Sequence, residues 1–430
     1  MNSIKLFIKE LKYFFILWLT QSLSALGSAM TNFALVVWSY QQYGSALQTA
    51  LLAICSYVPY VVMSIFAGAL SDRWNKKISM LFCDSFAAGC SVFVLILLQM
   101  GKLEVWHLYI LNALNGLMNT VQQPAADVTI SLLTPRKYYQ RVSGMRSFSN
   151  SLVSVITPVI ATAFLSFSNI QTVILFDLFT FSVAFVALLF FIRIPEIEKK
   201  DETEETILKS AKSGLIYLKE NRGILDLILF LAAINLIASM YNAALPAMIL
   251  SKQGGDEAAL GLVTMVEGLA TLAGSIIVSL LPAPKSRVRV ICNTLLFSMS
   301  TENFFLAFGN SVPLWCFGAI LGWIVIPIMG SNMDVLFRHH IPIEMQGRVY
   351  SARNTFQFFT IPIGYFLGGI LVDQVFEPLM KLQNPGSLLT VLFGSGKGSG
   401  AAFLFLLLAF AGIFVCLIFR KDRHMWELEK

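Results

Sequence analysis

The chain has 430 residues, of which 56% are hydrophobic and only 13% charged, and its mean hydropathy is +0.71. Soluble domains run nearer roughly 45–50% apolar and about 25% charged, so this balance speaks against a water-soluble enzyme. The net charge of +6 is scattered between apolar runs. That pattern points to membrane topology and away from a nucleic-acid surface.

Lys5, Lys9 and Lys12 precede an apolar segment that continues past residue 35. It is too long for a signal-peptide core and lacks a clear cleavage site, so it reads as a retained membrane helix. Further apolar runs place spans at 13–37, 45–71, 78–99, 104–134, 141–166 and 170–192. A second set follows at 223–250, 257–281, 288–309, 312–338, 346–372 and 400–419. At about 20 residues per span, the expectation is an all-α integral membrane fold of twelve helices. Two six-helix pseudo-symmetric bundles, 1–192 and 223–430, would flank a polar cytoplasmic linker at 193–222. That linker holds the charge run from Glu196 to Glu205 and an amphipathic helix near Ile207–Leu218.

Charge placement sets the direction. With the N-terminus inside, all but four of the 31 Lys and Arg fall on the cytoplasmic side, the exceptions being Lys102, Lys252, Lys381 and Lys397. Such a bias predicts a multi-pass cell-membrane protein with both termini cytoplasmic.

The six cysteines, Cys55, Cys83, Cys90, Cys292, Cys316 and Cys416, sit in apolar stretches without metal-ligand spacing. They read as small buried hydrophobes, and no metal or cofactor is expected. Gly394-Ser-Gly-Lys-Gly-Ser-Gly400 looks like a phosphate-binding loop, but the leading glycine is missing and Gly398 replaces the Ser/Thr. A flexible external tether is the expectation there.

The halves repeat. At a constant offset of 207, Asp127, Val128, Pro135, Arg141, Val142 and Arg146 match Asp334, Val335, Pro342, Arg348, Val349 and Arg353. Parallel duplication of a six-helix unit is a transporter architecture, with the substrate site where the repeats meet. Asp127 and Arg146 stand at matching depth in antiparallel helices, roughly 10 Å from the cytoplasmic turn at 1.5 Å per residue. Asp334 and Arg353 repeat that placement. Unpaired charge is costly there, so each pair should form an ion pair, serving as a staple or as a cytoplasmic gate.

Between spans 2 and 3 stands Gly68-Ala-Leu-Ser-Asp72-Arg73-Trp-Asn-Lys76-Lys77. Gly68 permits close helix approach, Asp72 suits a helix N-terminus or a cation, and the basic residues hold the loop at the inner leaflet. This resembles the signature loop of the major facilitator superfamily throughout. More narrowly, Gln21-x-x-Ser24, Pro124-Ala125, Thr157-Pro158, Asp177, Arg193-Ile-Pro195 and Gly347-Arg348-Val349 resemble the macrolide-efflux branch of its drug:proton antiporters. The resemblance implies alternating access, a central cavity and export driven by protons. Asn115 stands where many such antiporters carry an arginine. The glycine-rich motif of span 5 is reduced to Ser154-Val-Ile-Thr157-Pro158, and the loop Pro284 to Arg289 lacks the acidic signature.

Polar residues gather on few spans. Gln21, Ser24, Ser28 and Asn32 make one face of span 1. Span 4 carries Asn112, Asn115, Asn119 and Gln122, and span 7 carries Asn235, Ser239 and Asn242. Asn150, Asn354 and Gln357 add to these. Helices 1, 4, 7 and 10 line the cavity in the resembled fold, so the stripes read collectively as a substrate cavity, and individually as interhelical hydrogen-bond glue. Trp18, Phe33, Tyr57, Tyr60 and Tyr241 would add aromatic surface. Amide and aromatic lining suits an amphipathic or hydrophobic solute.

For proton coupling, Glu267 in span 8 is the first candidate and Glu302 in span 9 the second. Burial near the midplane makes a carboxyl protonatable. The resembled fold lets span 8 face the cavity and keeps span 9 peripheral. Asp84 and Asp177 are placed nearer the membrane surfaces, on outer helices. The expected partners are a small molecule, protons and the bilayer, without nucleic acid, for a monomer. A siderophore, lysophospholipid or peptide exporter would share this sequence pattern. An enzyme lacks support, because the four histidines form no catalytic motif, and a sensor would not need internal polar stripes.

Overall fold

The computed structural model describes residues 10–73, 75–135, 138–194 and 215–429. Side chains are described for all of these except 64–73, 139–141, 143, 144, 338, 343–348 and 350–352. The acidic run of the linker and residues 207–214 therefore lie outside the described residues; residues 215–220 are helical.

Among the described residues every regular element is a helix. In chain order they are α1 (Lys12–Tyr43), α2 (Ala46–Arg73), α3 (Lys76–Gln99), α4 (Val105–Leu133), α5 (Tyr139–Phe167) and α6 (Ile170–Val186). Then come α7 (Arg222–Ile249), α8 (Glu257–Leu280), α9 (Arg287–Phe308), α10 (Val312–Trp323) and α11 (Ile326–His340). The chain closes with α12 (Ile343–Ile370), a five-residue helix at Glu377–Lys381, α13 (Leu388–Phe393), α14 (Ser399–Arg420) and α15 (Arg423–Glu427). Wide π turns extend α6 through Ala187–Phe191 and α12 through Leu371–Phe376.

The loops carry the residues that start helices. Asn75, Asn169, Asp256 and Ser286 each accept backbone N–H groups in the first turn of α3, α6, α8 and α9, satisfying donors that a helix start leaves orphaned. Among the described residues, ten stretches are long and apolar enough to cross a membrane. The two expected spans missing from those ten, α4 and α9, are formed as helices of 29 and 22 residues. Their hydropathy is diluted by the amides of α4 and by Arg287, Arg289, Glu302 and Asn303 of α9.

Span 10, expected as one run, is broken into α10 and α11. Pro327 sits in the first turn of α11, and its missing N–H and ring clash with the carbonyl four residues back interrupt the ladder. Gly274 of α8 packs against the break, where an added Cβ would meet Ile324 O at 2.0 Å. In α12, Gly364 and Gly368 do the same for α7: a Cβ would lie 2.5 Å from Leu236 O and 2.9 Å from Met240 Cα. Small residues four apart let membrane helices approach closely where no hydrophobic force drives them together.

By contact the chain divides into two units. One comprises Met1–Leu35 with Cys55–Glu204, and the other Val36–Ile54 with Glu205–Lys430. The 36–54 segment belongs to the second unit through specific bonds. Asp373 accepts from Ser45 Oγ at 2.5 Å, Ala46 N at 3.0 Å and Leu47 N at 2.9 Å, capping α2. The Tyr40 hydroxyl donates to Ala247 O at 3.1 Å and lies 2.6 Å from Ser251 Oγ.

The glycine-rich 394–400 segment corrects the tether expectation. Gly394, Gly396 and Gly398 all take positive φ, 86°, 97° and 93°, a conformation that side chains resist. The wound turn is pinned where Gly398 N donates to Glu377 Oε1 at 2.8 Å and where Lys397 lies over the Tyr40 ring.

Candidate functional site

In the first unit the polar face of span 1 is occupied by two acids. Gln21 Nε2 donates to Asp84 Oδ2 at 3.3 Å, and Gln122 Nε2 donates to Asp84 Oδ1. Ser28 Oγ and Ser91 Oγ donate to the two Asp177 oxygens at 3.0 and 3.2 Å. Asp177 is 5% exposed. Asp84 thus ties α1, α3 and α4, and Asp177 ties α1, α3 and α6. Both acids, expected on outer helices, turn their side chains inward and act as hubs, because a polar group inside a helical bundle needs a partner. Gln21, Ser28 and Gln122 serve as their donors.

Other residues of the expected cavity keep capacity to bind. Asn32, Asn119 and Asn150 are exposed, and Ser24 and Asn112 are half-buried. The Asn115 Oδ1 atom is buried without a hydrogen-bond partner. In the second unit, Asn235 Nδ2 donates to Gln357 O at 3.3 Å and Ser239 Oγ donates back to Asn235 O at 2.7 Å. Asn242 is exposed. The side-chain oxygens of Asn354 and Gln357 are buried and unpartnered. An orphaned amide oxygen costs free energy until a donor reaches it.

The gating residues divide. Side chains of Gly68, Asp72 and Arg73 lie outside the described residues. Lys77 Nζ donates to Leu189 O and Ile192 O at 2.9 and 2.8 Å, holding the end of α6, where a cation suits exposed carbonyls. Lys76 is half-buried beside it. Arg146 Nη2 and Asp127 Oδ1 meet at 2.6 Å. No ion pair joins Asp334 to Arg353 among the described contacts, and the Arg353 guanidinium lies 5.2 Å over the Phe337 ring. The aromatic face offers the cation a competing seat.

The proton-coupling candidates come together. The Tyr241 hydroxyl of α7 lies 2.8 Å from Glu267 Oε1 of α8 and 2.6 Å from Glu302 Oε1 of α9. Trp323 Nε1, at the end of α10, donates to Glu302 Oε1 at 2.8 Å. Glu302 and Tyr241 are 4% and 5% exposed, and Glu267 is half-buried. Glu302, on a span expected to be peripheral, turns its side chain into its unit, and Tyr241, expected as aromatic surface, is also engaged by two carboxyls. Their separations of 26 and 61 residues carry no motif, and Tyr241 stands about 200° around the helix from Ser239, off the polar stripe of span 7. Among the described residues no group of three metal-ligating side chains occurs.

Membrane-length helices, buried carboxyls with hydroxyl and amide partners, and orphaned acceptors define a multi-pass membrane transporter. A profile described as Major Facilitator Superfamily matches residues 17–281, and the chain belongs to that superfamily. It is 22% identical over 367 residues to Macrolide efflux protein A of Streptococcus pyogenes, covering 84% of this chain and 90% of that one. To the protein of the same name from Enterococcus faecalis it is 22% identical over 326 residues, 75% of this chain and 99% of the relative. Among solved structures, the nucleoside transporter NupG superposes with a TM-score of 0.70 at 14% identity, covering 94% and 98% of the two chains.

Proposed function

We propose that this chain exports amphipathic or hydrophobic small molecules of the macrolide kind, driven by the proton gradient and working by alternating access. The observation that carries the reading is the Glu267 carboxyl. It sits within a span, bonded to the Tyr241 hydroxyl, with no cationic side chain recorded beside it among the described residues. A carboxyl within a span and without a cationic partner is the kind of group that can gain and lose a proton. The macrolide-efflux relatives and the unpartnered amide oxygens of Asn115, Asn354 and Gln357 support the cargo class.

In this reading the protein is a monomer with two bundles, 1–192 and 223–430, joined by the 193–222 linker, and both termini are cytoplasmic. The Asp72 loop and the pairs Asp127–Arg146 and Asp334–Arg353 form the cytoplasmic gate, with different pairs closed in different states. Exchanging the charges of Asp127 and Arg146 should restore more transport than either single reversal; equal loss in all three variants would remove the gate assignment. The cargo is tested by comparing an overexpressing strain with one lacking the protein. Raised tolerance to macrolides supports the reading, and unchanged tolerance with export of a siderophore, lysophospholipid or peptide overturns it.

A further inference from the structure

Tyr241 stands between two carboxyl groups with one proton to give. A phenol donates a single hydrogen bond, yet its oxygen lies 2.8 Å from Glu267 Oε1 and 2.6 Å from Glu302 Oε1. With both carboxylates ionised, one of these contacts would hold no hydrogen and would set like charge against a lone pair. Both contacts persist only when a carboxyl proton fills the second one.

Donor count decides which carboxyl supplies it. Glu302 Oε1 already receives the Trp323 N–H at 2.8 Å, and a donor to the charged form favours that form. Glu267 has Tyr241 as its recorded donor and keeps part of its surface open. The consistent chain runs from the Glu267 O–H to the Tyr241 oxygen, and from the Tyr241 O–H to Glu302 Oε1, where the indole N–H also ends. Hydrogen bonds aligned in one direction strengthen one another.

We propose that Glu267, Tyr241 and Glu302 form a single proton-binding site. Glu267 carries the exchangeable proton, Glu302 is the fixed acceptor, and Tyr241 is the positioning residue that makes α7 and α9 respond to the proton. The inference rests on the proton-driven reading above and deepens it. When Glu267 gives its proton to water, Tyr241 keeps one O–H facing two acceptors, and one of its two contacts must open. Loss of a proton on α8 thereby loosens α7 from either α8 or α9.

The surroundings leave this exchange to the three groups. Cys316 of α10 is a titratable side chain whose charge environment includes Glu267, and the Phe405 ring of α14 packs edge-on against Tyr241 at 5.4 Å. Asp334, His339 and His340 of α11 make no recorded contact with either glutamate. Gly322 of α10 makes the room, since a Cβ there would lie 2.4 Å from Glu302 Oε2.

The test is an infrared difference spectrum of purified protein in detergent near pH 7, which detects protonated carboxyls without cargo or gradient. Wild type minus Glu267→Gln should show one protonated-carboxyl carbonyl band, and Tyr241→Phe should shift that band in frequency, which loss of packing alone would not do. No band in that difference, or an unshifted band in Tyr241→Phe, overturns the inference. If Glu267→Gln fails to fold, wild type minus Tyr241→Phe decides the same question: a displaced band supports the site and a flat difference refutes it. In proteoliposomes, Tyr241→Phe should lower gradient-driven macrolide accumulation about tenfold, the cost of one lost hydrogen bond, while exchange without a gradient is largely kept. Adding it to Glu267→Gln should cause no further loss, because the residues act as one unit; multiplied losses would show separate sites. Missing gradient-driven transport in wild type would instead sink the proposed function and leave the infrared result standing.

Discussion

At the scale of single residues, two positions make sharp predictions. Gly322 faces Glu302 so closely that a methyl group has no place, whereas Gly330 in α11 has nothing within 4 Å of an added Cβ. Gly322→Ala should displace the Glu302 carboxyl from Trp323 and Tyr241 and reduce gradient-driven transport strongly. Gly330→Ala should leave transport intact and stabilise by about 0.4–1 kcal/mol through the unfolded chain. Comparable transport in the two variants would contradict the packing described. Lys252, in the turn after α7, donates from Nζ to Gly309 O at 2.8 Å and is 8% exposed. Burial lowers its ammonium from 10.5 to about 8. The unfolded chain therefore binds more protons between those values, and stability should rise with pH from about 8 to 10.5. Below pH 8 both states are protonated and the gain is absent. Thermal midpoints of wild type and Lys252→Met across that range test this; parallel curves would remove the assignment. Residue-level chemistry was the least legible part of the sequence. Asp84 and Asp177 looked peripheral because their helices are, yet their side chains point at donors on α1. Such pairings depend on helix rotation, which span boundaries do not specify.

At the scale of elements, continuous apolar runs were enough to mark where the helices fall, ten of which are long and apolar enough to cross a membrane among the described residues, because about 20 apolar residues have few other fates. Interruptions inside spans were harder to read. Pro327 breaks span 10, while Pro59, Pro124, Pro158, Pro246 and Pro362 lie within continuous helices. Neighbouring helices and local adjustments can absorb a proline's lost bond, so a proline alone does not announce a break. The glycine-rich 394–400 turn was illegible for a related reason: its winding is held by Glu377, 21 residues away. The Asp373 cap of α2 is of the same kind, a side chain from a distant element satisfying three donors. Asp373→Ala should cost about 0.5–2 kcal/mol, read as a lower thermal midpoint in detergent, and Asp373→Asn should cost less because its amide oxygen still accepts. Equal midpoints for wild type and Asp373→Ala would show that the cap contributes nothing.

At the scale of the molecule, charge bias, duplication and the Asp72 loop made the class legible, and the superfamily match agrees with them. The proposed function rests on a carboxyl whose partners no motif reveals. Its central claim is that Glu267 couples proton entry to export. The direct measurement is macrolide accumulation in proteoliposomes under an imposed pH gradient, wild type against Glu267→Gln, with exchange at equal pH run alongside. Wild type should accumulate the macrolide and lose it on adding a protonophore, while Glu267→Gln should fail to accumulate yet still exchange. Undiminished gradient-driven accumulation in Glu267→Gln would contradict the account.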